Sequence, residues 1–421
     1  MQLGQKLKKL WKKLGPGLIT GASDDEPSGI ATYTIAGAKF GLATLWMALF
    51  TLPLMITIQE MSARIGRVSN LGLAGNMKKH YPRWLLFSIA FLIVTVNTIN
   101  IGADMSGMAQ SVALILPFSE KITAIIITLI ILLLTIILPY QKIFSIFKWL
   151  ALSLFVYVFA VFTVQENWFD ILRNLIVPKI LFTKDFFIIM TAFFGTTIAP
   201  YLFFWQANQE VEERIINQCK PGRVCKLSSV TEKELNDLKI DTRIGMTFSN
   251  LITFCIIILT SSTLFRAGLH NVETLKDAAE ALKPIAGEYS YLLFTAGIIS
   301  SGFLAIPILA GSAAYVIAEI FGWSQGLNKT FNRAKEFYGV IIASTLVGLI
   351  IPLLGLHPVK ALFYTAIMYG LISPIIIAMV IHMANNPNIM GRHVNSKSTN
   401  ILGRITLMVM SFTAIISLIV L

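Results

Sequence analysis

Long apolar runs alternate with short polar segments along the whole chain. A bilayer core about 30 Å thick takes roughly 20 mostly apolar residues per helix. Runs of that kind predict eleven transmembrane helices, at 17–36, 42–62, 84–115, 120–139, 147–164, 187–213, 244–265, 289–320, 338–356, 360–383 and 402–421. Between them, 166–186 contains "ENWFDILRNLIV" and 270–288 contains "NVETLKDAAEALKPIAGE", both with the period of small amphipathic helices. The largest hydrophilic insert, 214–243, predicts a short surface helix and turn. With no soluble domain or long linker, the pattern predicts one all-α integral membrane domain over 1–421.

Composition agrees: 55% of the residues are hydrophobic and 13% charged, too apolar for a soluble domain of ordinary usage. A net charge of +12 would fit a nucleic-acid partner, but the positions of the charges exclude that reading. With the N-terminus (1–16) in the cytoplasm, 25 of the 34 Lys and Arg residues fall in that segment, in the loops after even-numbered helices, or, for Lys148 and Arg404, in the first three residues of the span that follows such a loop. This is the positive-inside bias, so the charge reports topology and contact with anionic lipid. The expected location is the plasma membrane of a prokaryotic cell, multi-pass, with the N-terminus inside. The basic start runs straight into the first span, so no cleavable signal is expected. Cys219, Cys225 and Cys255 are too few for a disulfide framework and their spacing fits no zinc motif.

Two spans stand apart. The first carries "SDDEPSG" and the sixth "FFGTTIAPYLFF", so each places a proline among polar residues in mid-membrane. Proline removes a backbone hydrogen bond, and in lipid the freed carbonyl needs another partner. Pro27 and Pro200 lie five spans apart, the offset expected of two inverted repeats (17–164 and 187–383) that each open with a discontinuous helix. The eleventh helix, 402–421, is then an addition.

An ionised carboxylate in mid-membrane is costly and marks a functional site by default. Asp24, Asp25 and Glu26 have no Lys or Arg in their own span, so a bound cation is their natural partner. On a continuous helix the three would point roughly 100° apart; an unwound segment lets two of them approach one ion together with backbone carbonyls. Neither break has a Cys, Met or His beside it, and an all-oxygen donor set favours hard ions such as Mg²⁺, Mn²⁺ and Ca²⁺. Mg²⁺ keeps several waters and needs only one or two carboxylates. Small residues at Ser28, Gly29 and Ala199 leave room for such waters.

These residues carry a resemblance. "GPGLITGASDDEPSGIATYTIAGAKFG" resembles the first helix of the Nramp family of divalent-metal transporters, where Gly-Pro-Gly is followed by Asp-Pro-Gly-Asn and an Ala-Gly-Ala turn. "GTTIAPYLFFWQ" resembles its sixth, with the pattern Gly-x-Thr-Ile-Met-Pro-His, and "IGADMSGMAQ" of span three extends the likeness. The resemblance implies a LeuT-type fold and transport by alternating access. It places Glu26 at the family's metal-binding Asp, with Asp25 and Asp24 as further acids, and puts the carbonyl ligands at Ser23 and Thr196. The family's Asn ligand falls on Gly29 and its Met ligand on Ala199. Its two sixth-helix His residues fall on Tyr201 and Gln206. Of the two acids in its span-three proton pathway, Asp104 remains and the other position is Gly107. Loss of the thioether and of the titratable groups is similar to the Nramp-related magnesium transporters.

The expectation is therefore a Mg²⁺ transporter, with Mn²⁺ also carried and no obligatory proton coupling. It has no cofactor and no enzymatic activity, since the chain has no Ser-His-Asp set or phosphate loop. The alternatives are proton-coupled Mn²⁺ or Fe²⁺ uptake, with Asp104 and an extra acid carrying protons, and a LeuT-type amino-acid symporter, whose substrate carboxylate the acids would repel. Asn97, Asn100 and Asp104 share one face of span three, as a hydrated path or an inter-helix contact. Glu60 and Glu319 are expected to pair with loop cations such as Arg64. Glu210, Glu212 and Glu213 are expected at a solvated helix end, and Gln206 and Asn208 against a hydrated ion leaving the site.

Overall fold

The computed structural model describes residues 15–138, 142, 146, 149–150, 152–164, 166–218, 228–283 and 287–420. All regular elements among these residues are helices. The first expected span is two: α1 (Pro16–Asp24) and α2 (Pro27–Phe40). A turn at Gly41–Thr44 leads into α3 (Leu45–Ser69), then α4 (Leu73–His80), α5 (Arg83–Ala113), α6 (Glu120–Ile137) and α7 (Phe155–Val161). After α8 (Trp168–Ile176), the sixth span is again two helices, α9 (Lys184–Thr197) and α10 (Pro200–Gln218). The chain continues through α11 (Glu232–Thr260), α12 (Leu275–Glu280), α13 (Ser290–Phe321), α14 (Lys335–Gly348), α15 (Ile350–Leu353), α16 (Pro358–Asn385), α17 (Pro387–Met390) and α18 (Lys397–Val420).

Nine stretches of the described residues are long and apolar enough to cross a bilayer. One of them, Pro27–Ser69, runs through α2 and the whole of α3. The fifth expected span, 147–164, falls partly on residues outside the described set, as do Cys219, Cys225 and most of the segment 1–16. The amphipathic segments form α8 and α12 where expected. Of the insert 214–243, residues 219–227 lie outside the described set; before them α10 continues to Gln218, and after them α11 begins at Glu232, so 232–243 open a membrane helix rather than a separate surface helix. The cause is a capping box, in which Thr231 and Glu234 satisfy each other's backbone N–H groups.

Apolar side chains face outward where lipid must lie. Ile122, Ile126, Leu129 and Leu133 make such a stripe on α6, and Phe412, Ile415 and Ile419 another on α18. Inside, small residues let helix backbones touch. A Cβ on Gly21 would sit 2.1 Å from the Gly245 carbonyl oxygen, and one on Gly245 would sit 2.0 Å from that of Gly17, so α1 lies directly on α11. The two broken helices meet at the centre, surrounded by α5, α11, α13 and α16.

Candidate metal centre

Each break is built by its proline. The residue before a proline is pushed out of the helical region, and Glu26 is extended (φ −68°, ψ 167°) after Asp25 (φ −82°, ψ 49°). Pro27 then opens α2 at the position where a missing N–H does no harm. In the sixth span Ile198 leaves the helix (φ −118°, ψ 59°) and Pro200 opens α10. A helical N–H bonds to the carbonyl four residues earlier, so Pro27 withholds the donor due to Ser23 and Pro200 the one due to Thr196. These are the two carbonyls the family resemblance singles out.

Several side chains repair the breaks. The Tyr201 hydroxyl donates to the Ser23 carbonyl at 2.9 Å, tying α10 to α1. Ser312 of α13 donates to the Tyr201 carbonyl at 2.9 Å, and Ser373 of α16 to that of Ile198 at 3.2 Å. Thr196 is held through its hydroxyl, which donates to the Phe193 carbonyl at 3.0 Å and lies 3.3 Å from the Tyr33 hydroxyl.

The three acids are all buried, but they face different ways. Ser28 donates to Glu26 Oε1 at 2.6 Å, while Oε2 has no protein partner. Asn100 lies beside Glu26, and Asp104 is near enough to repel it. Both side-chain oxygens of Asp104 and both polar atoms of the Asn100 amide are buried without a partner. Glu26, Asn100 and Asp104 thus hold five buried polar atoms without a well-formed protein hydrogen bond, and Asp24 Oδ1 and Asp25 Oδ2 are two more beside the same break. Asp24 and Asp25 turn instead to α11, where the Ser249 hydroxyl lies 2.8 Å from Asp24 Oδ2 and 3.3 Å from Asp25 Oδ1. One oxygen of Asp25 is thus taken by Ser249 and one of Glu26 by Ser28, while Asp25 Oδ2 and Glu26 Oε2 are both buried without a protein partner. Among the described residues no group of three His, Cys, Asp or Glu side chains is arranged to hold a metal.

Other expected residues are placed differently too. A Cβ on Gly29 would meet the Asp24 carbonyl at 3.3 Å and the Tyr33 ring at 3.4 Å, so that position packs against the break instead of facing open space. Ala199, immediately before Pro200, is buried. Gln206 is engaged on both sides, accepting from Gln59 at 2.5 Å and donating to Thr242 at 2.9 Å, so it braces α3, α10 and α11. Asn97 accepts from Tyr369 at 2.9 Å and donates to the Leu309 carbonyl at 3.2 Å, an inter-helix brace. Glu60 does pair with a loop cation, Arg243 at 2.6 Å, though not with Arg64. Glu319 accepts from the backbone N–H groups of Gly72 (2.6 Å) and Gly75 (2.8 Å). The acids ending α10 are not a solvated cluster: Glu210 and Glu213 share Arg67 at 3.2 and 3.0 Å, and Glu212 is buried on Tyr315 and the Leu327 N–H.

Sequence reasoning missed Ser249 and Asp241. Asp241 of α11 accepts from the Gly15 N–H at 2.9 Å and the Gly17 N–H at 2.7 Å, capping the start of α1. The capping box at Thr231 was the available signal, since it puts Asp241 ten residues inside a helix. Asp241→Ala leaves the buried Gly17 N–H and the half-buried Gly15 N–H without an acceptor and is expected to lower stability by about 2 kcal/mol, read as a drop in the unfolding midpoint in detergent. An unchanged midpoint would show that the contact is dispensable.

Residues 17–420 match the family described as natural resistance-associated macrophage protein-like. The chain belongs to the Nramp family. Nramp proteins are membrane transporters rather than enzymes. The divalent metal cation transporter MntH of Caldanaerobacter subterraneus is 24% identical, over 99% of this chain and 94% of that one. Among solved structures, the Eremococcus coleocola manganese transporter superposes with a TM-score of 0.75 at 17% identity, covering 98% of this Nramp chain and 86% of its own. MhsT, in complex with L-phenylalanine, gives 0.59 at 13% identity over 97% of both chains. The multi-pass Nramp chain thus has the LeuT-type fold that its sequence predicts.

Proposed function

We propose that this chain moves divalent metal cations across the membrane by alternating access, that Mg²⁺ is its preferred cargo with Mn²⁺ also carried, and that the movement needs no proton. The observation that carries this reading is the group of unsatisfied buried polar atoms around Glu26. A carboxylate in a membrane interior needs a partner. Glu26, Asp104 and Asn100 offer two carboxylates and an amide, and the carbonyls of Ser23 and Thr196 stand at the breaks. That is an all-oxygen set with few anionic ligands, suited to a hard ion that keeps part of its water. Asp25 and Asp24 each rest one oxygen on Ser249 and add negative charge beside the site.

Two further features support the finer reading. Ala199 supplies no sulfur where a soft metal would be held, and all five His residues lie at helix ends or in connections away from the breaks. Tyr201 and Gln206, at the family's His positions, are hydrogen-bonded braces rather than titratable relays near pH 7. The repeats at 17–164 and 187–383 would rock against each other around Glu26, with the N-terminus on the cytoplasmic side of a prokaryotic plasma membrane. The relatives' printed roles, divalent metal cation and manganese transport, support the cargo class.

The test is reconstitution into liposomes containing a Mg²⁺ dye and, in parallel, a pH dye. Saturable Mg²⁺ influx with no change in internal pH is expected. Acidification that tracks metal influx would overturn the uncoupled reading, and Mn²⁺ influx without Mg²⁺ influx would overturn the preference.

A further inference from the structure

A charged recess lies away from the metal centre, where α3, α11 and the start of α18 meet near the end of the bundle that carries Asp241. It is a cavity of about 650 Å³. One end is lined by Arg64, Lys239, Arg243, Arg392 and His393, and the other by Pro53, Ile56 and Leu402. Pro53 and Arg64 are eleven residues apart on one helix, or about 16 Å. The recess therefore runs from the polar rim about halfway into a 30 Å hydrocarbon layer.

Its charges are unbalanced. Arg243 is matched by Glu60 at 2.6 Å, and His393 faces Glu232 at 3.6 Å. Arg64 holds the connection before α18 through the His393 and Val394 carbonyls and Asn395 Oδ1, so no carboxylate pairs with it directly. Arg392 donates to the His393 ring at 3.5 Å. No carboxylate pairs with Lys239 or Arg392 among the described residues. The wall thus carries two more permanent cations than carboxylates, with the hydroxyls of Ser396, Ser398 and Thr399 beside them.

We propose that this recess binds an anionic phospholipid of the N-terminal-side leaflet, the phosphodiester among Lys239, Arg392 and the serine hydroxyls and one acyl chain along Pro53, Ile56 and Leu402. Charge sets the headgroup: a phosphodiester offers acceptor oxygens to ammonium, guanidinium and hydroxyl donors, and basic pockets between membrane helices hold such groups. The apolar end sets the source. A soluble anion has no use for a slot of leaflet depth, whereas an acyl chain fills it. The bound lipid would bridge α3, α11 and α18, none of whose lining residues belongs to the metal centre.

Native mass spectrometry of the full-length protein, with phosphatidylglycerol or phosphatidylcholine added, tests this. Preferential retention of one phosphatidylglycerol is expected. Near the surface each Lys or Arg contributes a factor of about five, so Lys239→Gln/Arg392→Gln should weaken that lipid by about thirtyfold and leave phosphatidylcholine unchanged. Both side chains are at least partly exposed, so the double variant should elute as the parent does. Leu402→Asn should weaken the lipid with every charge in place. Equal retention of the two lipids, an unaffected double variant, or displacement of phosphatidylglycerol by millimolar inorganic phosphate as effectively as by excess lipid would overturn the proposal.

Discussion

Glu26→Ala is expected to reduce Mg²⁺ influx at least about 100-fold, the upper end of what even outer-sphere changes do at metal sites. Its carboxylate is the acid at the break that faces Asn100 and Asp104, and its Oε2 is unsatisfied by protein. Glu26→Gln keeps the volume and the contact with Ser28, so it isolates the charge and should fail almost as badly. The orientation of the neighbouring acids makes the prediction specific. Asp25→Asn should fall well short of that loss, because the neighbours Asn100 and Asp104 belong to Glu26, while Asp25 Oδ1 rests on Ser249. Asp104→Asn should lie between them. Equal losses for Asp25→Asn and Glu26→Gln would mean that both carboxylates touch the ion, in a conformation unlike this one.

The second large effect concerns stability. Gly245→Ala adds one methyl group, which would stand 2.0 Å from the Gly17 carbonyl oxygen and 2.6 Å from its carbon. Nothing at that contact is a flexible side chain; backbone meets backbone, so α1 must lift from α11. Overpacking of a rigid core costs about 1–3 kcal/mol and sometimes more, and here the separation also pulls the Gly15 and Gly17 N–H groups from Asp241. A loss of about 4 kcal/mol is expected, read as a collapse of the monodisperse fraction and of the unfolding midpoint. Gly339→Ala is the matched control. A Cβ on Gly339 meets nothing within 4 Å on a helical residue, so alanine there should be neutral or stabilising by up to about 1 kcal/mol. Equal behaviour of the two variants would refute the close α1–α11 contact.

What the sequence made legible follows from what is local. Proline chemistry acts within four residues, so both breaks could be placed at Pro27 and Pro200 before any packing was known. Three acids in an apolar run are equally local evidence, since their need for a partner in lipid can be read before the partner is known. Which way each acid turns is a tertiary matter. Ser249 draws Asp24 and Asp25 to α11 from 225 and 224 residues away in sequence, and no periodicity in either segment announces it. The same holds for Glu60, which chose Arg243 over the nearer Arg64, and for Glu319, whose partners are backbone N–H groups that carry no side-chain signal. Gln206 looked available for an ion because Gln59 and Thr242 lie on other helices. Asp241 is the one miss that local reading could have avoided, through the capping box at Thr231.

The central claim is that the site around Glu26 is a hard, all-oxygen one that prefers Mg²⁺. Binding isotherms of Mg²⁺, Mn²⁺ and Cd²⁺ on the purified protein test it most directly. Saturable Mg²⁺ and Mn²⁺ binding that is lost in Glu26→Gln, with Cd²⁺ competing poorly, is the predicted result. Micromolar Cd²⁺ binding that Mg²⁺ does not displace would contradict it.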